Sequence, residues 1–492
     1  MKLSIIGAGI SGLVAAAYAA RCGMDVTVYE RALAPGGVST SWRRKGFLFE
    51  GGIHWLLGTW PGNPVHRIWK ETGALAANNP PVHKEPFVTF MDGDGRTALW
   101  RDPGKLAYEL SAKSPRDRAA LRLLAFEIRC FRHFASPVND IPGVKSAKPA
   151  RTTLRQYFSM LPAILLAPAL FCRSVGGYAS RFRDPSVRDL IGNALDRSNS
   201  ALSLIYCLSS FANGDGGFPK GGAMRMARNV EETVLSSGGR IRYGARVERV
   251  CSEGGRFRGV VCDGVFEESD AVIVTQDART AIDTLFGEPL RDRWARRLRR
   301  RLEGEQCMFL SLGLDTDLSG RPKTMMFRLR TPLEAAGKSY PVVTLYNYSG
   351  DPDYAPEGQS VVTCILDGDS YGFWNSARSD GSYNALKRKV LADFTEMLAE
   401  VLPETRGRVI ASDLATPVTY SRYCGTYRGS WMSMWRPFAF PPHAPTVYRR
   451  VKGVYFAGQR VLFSGGLPPA AMSARLAVQH VCRDFSLEFR PE

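Results

Sequence analysis

The first 37 residues leave this chain few folds to choose from. Lys2-Leu3-Ser4-Ile5-Ile6 is a short apolar strand, and Gly7-Ala8-Gly9-Ile10-Ser11-Gly12 is a glycine-rich turn. Leu13 to Ala20 is a helix of small residues, closed by Arg21-Cys22-Gly23. Asp25 to Tyr29 forms a second strand that ends on Glu30, eighteen residues after Gly12. This is a βαβ unit with G-x-G-x-x-G at its first turn, the pattern of a dinucleotide site. Gly7 permits the tight turn, Gly9 lets the backbone approach a pyrophosphate, and Gly12 lets helix and strand pack closely. Ile10 and Ser11 carry the helix N-terminus, whose free N–H groups and positive dipole end face the phosphates. Glu30 is placed to accept hydrogen bonds from a ribose diol. A secretory leader also opens with a basic residue and an apolar run, and Ala17-Tyr18-Ala19 is similar to its cleavage site. Three glycines at functional spacing, followed directly by a well-patterned strand, favour the dinucleotide unit.

The next residues choose among dinucleotides. Glu30-Arg31 is followed by Pro35-Gly36-Gly37-Val38, and then by Lys45-Gly46-Phe47-Leu48-Phe49-Glu50-Gly51-Gly52-Ile53-His54-Trp55. E-R-x(4)-G-G with K-G-F-x-F-[ED]-x-G resembles the FAD-binding signature of the amine-oxidase-like flavoproteins. The continuation through Gly-Ile-His-Trp resembles their phytoene desaturase, carotenoid isomerase and retinol saturase branch. The resemblance implies FAD as cofactor, with Arg31, Gly36, Gly37, Val38, Gly51 and Gly52 around it and the Glu50 turn against the isoalloxazine.

The resemblance returns twice. Phe218-Pro219-Lys220-Gly221-Gly222 is similar to the family's Y-P-x-G-G segment. It precedes an expected helix from Ala223 to Ser237 and three expected strands: Arg240 to Tyr243 with Val247 to Cys251, Arg256 to Asp263, and Ala271 to Thr275. Val247 stands where the family sets a backbone against adenine. Of the family's N-A-D, only Asp277 is present in Thr275-Gln276-Asp277. Near the C-terminus, Val454 to Gln459 and Ser464-Gly465-Gly466-Leu467-Pro468-Pro469-Ala470 resemble the second FAD element. It implies Gly458, Gln459, Gly466, Leu467 and Ala470 at the cofactor, Gln459 on a phosphate or ribityl oxygen, and a helix N-terminus at the flavin N1/C2=O edge. Such a terminus stabilises negative charge on a reduced ring.

Motifs at both ends must fold together. The expected class is therefore α/β, with a discontinuous Rossmann-like FAD-binding domain (1–75, 215–289, 446–492). A second, α+β substrate domain (76–214, 290–445) carries a mixed sheet and helices. Phe87 to Phe90 and Thr97 to Trp100, joined by Asp92-Gly93-Asp94-Gly95, read as its first strands. Met308 to Gly313, Val342 to Tyr346 and Val361 to Leu366 read as later ones. Helices are expected over Val65 to Thr72, Pro115 to Phe134 and Tyr383 to Leu402. Thr416-Pro417-Val418-Thr419-Tyr420-Ser421-Arg422-Tyr423 resembles a segment of the isomerase and saturase branch. Trp55, Tyr420, Tyr423 and Trp431 are candidates to line a slot for a polyene, although aromatic density also marks ordinary cores.

Two stretches leave alternatives open. Met160 to Phe171 is uncharged, carries Pro162 and Pro168, and is flanked by Arg151, Arg155 and Arg173. It is either a buried or loop-adjacent core segment or a patch dipping into one membrane leaflet. Leu290 to Leu302 holds seven arginines and an apolar stripe of Trp294, Leu298 and Leu302. It is either a surface helix packed on the core or a helix lying on a membrane.

A net charge of +18 points to anionic partners, and no nucleic-acid-binding signature accompanies it, so an anionic membrane surface is the expected partner. The cysteines neither pair periodically nor cluster with histidine, so no metal site or disulfide frame is expected and a reducing cytoplasm fits, with the protein peripheral on the inner membrane face. No second dinucleotide fingerprint occurs, so electrons pass to or from a diffusible partner. His54 is the one titratable candidate for a catalytic role, as acid/base or proton shuttle; Glu50 reads as structural or ribityl-facing. The reading is an FAD-dependent oxidoreductase acting on C–C or C=C bonds of a long apolar isoprenoid or polyene, by hydride transfer at flavin N5. An amine or porphyrinogen oxidase on the same fold, and a membrane-binding flavoprotein without turnover, are the alternatives.

Overall fold

The computed structural model describes residues 1–93, 95–134, 138–145, 154–462 and 465–492, with side chains described for all of these except 154–157. Asp94, Arg151, Ser464 and the side chain of Arg155 lie outside the described set.

The opening unit folds as its pattern requires. Strand Lys2–Ile6 is buried beyond Lys2, and helix Ile10–Arg21 buries every residue but its last. The helix is built of alanines because it is covered from two directions, by helix Gly222–Ser236 and by helix Leu467–Asp484. Ala16, Ala20, Ala223, Ala227, Ala471 and Ala474 belong to one core with the flanking strands, where large side chains would hold the helices apart. Five strands make an all-parallel sheet in the order Val454–Phe456, Ala271–Val274, Lys2–Ile6, Asp25–Glu30, Arg240–Tyr243. The N-terminal strand sits at the centre and the strand nearest the C-terminus sits at an edge. The sheet is complete only when segments from both ends of the chain have come together.

A seven-stranded mixed sheet carries the second region. Its order is Val409–Ala415, Cys307–Leu314, Ser360–Asp367, Lys338–Asn347, Thr324–Ala335, Val88–Asp92, Gly95–Leu99. Its pairings are antiparallel except between Thr324–Ala335 and Val88–Asp92. Helices Pro103–Lys113, Arg118–Cys130, Leu154–Phe171, Pro185–Gly192 and Ala201–Ala212 share an apolar core against one end of it.

Several expectations change. Arg240–Tyr243 does not pair with its successor: it closes the parallel sheet, while Val247–Glu253 joins Arg256–Cys262 and Val265–Glu268 in a separate antiparallel sheet. The Met160 to Phe171 run is neither loop nor fully buried. Helix Leu154–Phe171 continues through Pro162 and Pro168, buries Ala163 and Leu170, and turns Leu161, Ile164 and Leu165 outward. In the arginine-rich stretch, helix Arg293–Arg301 packs its stripe inward, with Trp294 against Tyr448 and Phe456 at 6.3 and 5.6 Å. That tryptophan is partly buried against the core. Among the described residues no helix is long and apolar enough to cross a membrane.

Candidate active site

A cavity of about 1650 Å³ runs from the carboxyl ends of the parallel strands, across one face of the mixed sheet, to the helical region. Open α/β sheets bind ligands in the crevice at such strand ends. At this mouth the cavity is walled by Gly7, Gly9, Ile10, Ser11, Gly36, Gly37 and Val38. A methyl on Gly9 would meet nothing closer than 3.9 Å, so that backbone is bare toward the cavity. Gly12 is different: its Cβ would stand 1.8 Å from the Gly7 carbonyl oxygen, and it lies behind the wall as a packing glycine. The Oγ atoms of Ser11 and Ser39 are buried at this wall with no hydrogen-bond partner. Two orphaned hydroxyls beside a bare backbone at a helix N-terminus fit a bound pyrophosphate.

Farther along, Glu30 lines the cavity while its carboxylate accepts from the Ala8 and Ala32 N–H groups, both at 2.7 Å. Those bonds fix its orientation and leave lone pairs for a ribose. Val247 lines the same end. Arg31 reaches across it and donates to the carbonyls of Ser421 and Arg422. Gly458, Gln459, Gly466, Leu467 and Ala470 form the opposite wall. Here the hydrogen bonds are redistributed relative to expectation. The Gln459 amide donates to the Trp431 carbonyl at 3.1 Å and accepts from Gly466 N–H at 3.2 Å, so it braces the loop. Ala470 N–H is spent on the Gly466 carbonyl, and Pro468 and Pro469 have none, which leaves Leu467 to present the amide of this turn.

The Glu50 turn is a structural knot. The fully buried carboxylate accepts from Gly52, Ile53 and Ala223 N–H groups and from the Tyr354 hydroxyl, which joins the hairpin Ser41–Arg44/Phe47–Glu50 to helix Gly222–Ser236. Gly51 lies behind the wall, its would-be Cβ 2.4 Å from the Trp42 ring, while Gly52 faces the cavity. The turn delivers His54 into the wall. Its ring stacks on Tyr346 at 4.2 Å and lies 5.6 Å from Phe309. Burial, reinforced by the Lys84 ammonium, pushes the imidazole well below its ordinary value, so it is neutral. Nδ1 lies 3.1 Å from the Tyr348 hydroxyl, whose proton has no other acceptor among the described residues. Nδ1 therefore accepts and the ring N–H sits on Nε2, a buried donor with no partner in the cavity wall. Lys84 lies behind, over the rings of Phe218, Tyr346 and Tyr348 at 5.5, 5.3 and 5.8 Å, and burial pushes it down to about 8.

Trp55, Tyr420 and Trp431 line the cavity beyond His54, although Tyr420 is also tied to the Gly51 carbonyl at 2.8 Å. Tyr423 is 59% exposed and belongs to the rim. Asp277 does not face the cofactor region alone: it caps helix Ala278–Thr284 and pairs with Arg460 at 2.7 Å. The sequence reading missed Glu305 and Asp367, acidic residues on the cavity wall. A signal existed, because Asp367 continues the alternation Thr363, Ile365 along one strand.

Residues 10–482 match the family model of the flavin containing amine oxidoreductases. The chain belongs to this family. It is an FAD-dependent oxidoreductase. It is similar to the prolycopene isomerase of Daucus carota, 24% identical over 98% of this chain and 80% of that protein. It is likewise similar to the zeta-carotene-forming phytoene desaturase of Myxococcus xanthus, 25% identical over 98% and 93%. Among solved structures, an oxidoreductase from Methanosarcina mazei aligns with TM-score 0.63 at 19% identity over 96% and 99% of the two chains. Cyclohexylamine oxidase from Brevibacterium oxydans aligns with TM-score 0.61 at 15% identity, covering 97% of each, a likeness of fold. When bound, the cofactor supplies hydride acceptance and donation; the residues of this cavity wall would hold it, and His54 would face it as a neutral imidazole.

Proposed function

We propose that this flavoenzyme acts on C–C or C=C bonds of a long, apolar isoprenoid or polyene, as desaturase, saturase or isomerase, with a diffusible electron partner. The observation that carries this reading is the lining of the cavity. Its volume of about 1650 Å³ includes the cofactor end, so the lining beyond that end is what bears on the substrate. Beyond His54 it continues into a gallery walled by Trp55, Leu202, Tyr206, Phe134, Met160 and Phe440. That lining suits a hydrocarbon chain along most of its length, with carboxylates gathered at one end. The curated relatives named for carotenoid substrates agree with it. Glu30 and Val247 would hold the ribose and adenine, Gly9, Ser11 and Gly36 the pyrophosphate, and Leu467 the flavin edge. Trp55, Tyr420 and Trp431 would flank the reacting bond, Tyr423 the rim, and Nε2–H of His54 would orient cofactor or substrate.

The gallery's outer end supports an entry route from lipid. Phe158, Ile164 and Leu165 project outward from helix Leu154–Phe171, and Phe440, which stacks on Phe171 at 4.5 Å, is exposed beside the cavity. An apolar face of this kind on a basic protein is suited to a peripheral seat on an anionic bilayer. Incubating the oxidised and the reduced holoenzyme with carotenoid hydrocarbons in anionic liposomes, and resolving the products by chromatography, tests both statements. A new chromophore in either redox state is expected. Unchanged polyenes in both states would overturn the reading.

A further inference from the structure

The apolar gallery has one polar end. Strand Cys307–Leu314 pairs with Ser360–Asp367 so that Phe309 lies opposite Ile365 and Cys307 opposite Asp367. His54 packs near Phe309, so Asp367 lies about 7 Å farther along the same face, two residues of strand rise. Its carboxylate lines the cavity and, among the described residues, has no cation or hydrogen-bond donor against it. Glu305 lies beside it, fixed by reciprocal backbone bonds to Met432 and Trp431 at 2.8 and 2.7 Å. Asn199, 2% exposed, lies on the third side of the same wall. Two acceptor atoms are then left over. Glu305 Oε1 and Asn199 Oδ1 are both buried on the cavity wall with no partner. Of the nearby cations, Arg436 is 3.7 Å from Asp196 and is held by it, and Arg460 is paired with Asp277.

Orphaned acceptors in a buried wall call for a donor. Among the described residues no group of side chains has the makings of a metal site, so the donor is solvent or a polar group of the bound molecule, which would displace that solvent. We propose that Asp367, Glu305 and Asn199 form a subsite for a hydroxyl at one end, or part-way along, an otherwise hydrocarbon substrate, and so select hydroxylated isoprenoids over plain hydrocarbons. The inference rests on the polyene reading and narrows it. A hydroxyl fits better than an ammonium for a physical reason. Desolvation and the Asp196 charge push Asp367 up to about 7, and desolvation with the charges of Asp367 and Asp196 pushes Glu305 up to about 8. The pair therefore holds a proton at neutral pH, and a neutral group that both donates and accepts matches it, whereas a cation would have to displace that proton.

Three probes of one skeleton test this: geranylgeraniol, its deoxygenated hydrocarbon and geranylgeranylamine. Each is titrated into the flavin-loaded protein in neutral detergent, with tryptophan quenching and flavin absorbance as readouts. The alcohol should bind about tenfold or more tighter than the hydrocarbon, the worth of one or two hydrogen bonds to a charged or buried acceptor. Asp367→Asn should shrink that preference with the hydrocarbon affinity unchanged. Asp367 makes no structural side-chain bond, so this variant retains its fold; Glu305→Gln is the second variant, with flavin content as its control. Equal binding of alcohol and hydrocarbon, in wild type and variants alike, overturns the subsite and leaves the polyene reading standing. Tightest binding by the amine overturns it in favour of a cation site. Failure of all three to bind removes the polyene reading and the subsite with it.

Discussion

Arg460 and Asp277 meet at 2.7 Å with side chains 2% and 3% exposed, and they join the C-terminal cofactor loop to the start of helix Ala278–Thr284. The same guanidinium donates to Ser430 Oγ at 2.7 Å and to Ser433 Oγ, so one side chain ties three segments around the cavity. Replacing one member leaves the other as an unpaired buried charge. Arg460→Met should therefore cost about 3–5 kcal/mol. Urea unfolding of the flavin-free variant measures it. A loss under 1 kcal/mol would show that the pair merely breaks even.

Two glycines three residues apart in sequence should behave oppositely. Gly9→Ala adds a methyl with nothing nearer than 3.9 Å, at a φ of −67° that any residue adopts, so the apoprotein should keep its stability. The methyl enters the space for the pyrophosphate, so flavin affinity should fall at least tenfold. Gly12→Ala puts its Cβ 1.8 Å from the Gly7 oxygen, and both folding and flavin retention should fail. Thermal melts with and without added FAD separate the two outcomes.

The buried titratable groups give stability a signed pH dependence. His54 stays neutral in the native state but protonates in the unfolded chain below its ordinary 6.5. The unfolded state then binds the extra proton, so stability falls as pH drops below that value, by up to about 1.4 kcal/mol per pH unit. Asp367 works in the reverse direction. Its native carboxyl holds its proton to about 7, against 3.8 unfolded, so this contribution is lost as pH rises between those values. Relative to wild type, Asp367→Asn should melt at a higher temperature at pH 8 than at pH 5. His54→Phe should show a flatter acid limb. Neither shift in a pH series of melts would remove the neutral-imidazole and protonated-acid assignments.

Helix Leu154–Phe171 carries the expected contact with lipid. Leu165 is 71% exposed, so Leu165→Glu should change stability by no more than about 0.5 kcal/mol. It should nonetheless release the protein from anionic vesicles in co-sedimentation. Salt should release the wild type as well, because arginines supply the long-range attraction. Undiminished vesicle binding by the variant would place the contact elsewhere.

What could be read in the sequence follows from what is local. The Gly7-to-Glu30 unit, the Glu50 turn and the Gly458-to-Ala470 segment are written in contiguous residues; the first and last line the cavity at most of their named positions, and the turn does so at Gly52. Partnership is not local. Arg240–Tyr243 and Val247–Glu253 are neighbours in sequence with a turn between them, yet they belong to different sheets because Asp25–Glu30 had an open edge. Thr324–Ala335 escaped notice because Arg328 and Arg330 interrupt its apolar pattern, and Arg328 is in fact paired with Asp189 from a distant helix. Glycines at Gly12 and Gly51 were legible as important, but whether they touch a ligand or hold two backbones together depends on the packing around them. Asp367 and Glu305 looked like ordinary charges at strand ends until the fold set them beside the same cavity.

The most direct measurement is anaerobic single turnover: flavin-loaded protein, poised fully oxidised or fully reduced, is mixed with a carotenoid hydrocarbon or its hydroxylated analogue in anionic liposomes while flavin and polyene absorbance are followed together. The account predicts that in one of the two redox states the polyene spectrum changes within a turnover, with the His54→Phe variant slower and the Gly9→Ala variant silent for want of flavin. Polyene spectra unchanged in both states, alongside rapid flavin bleaching by a simple primary amine, would contradict it.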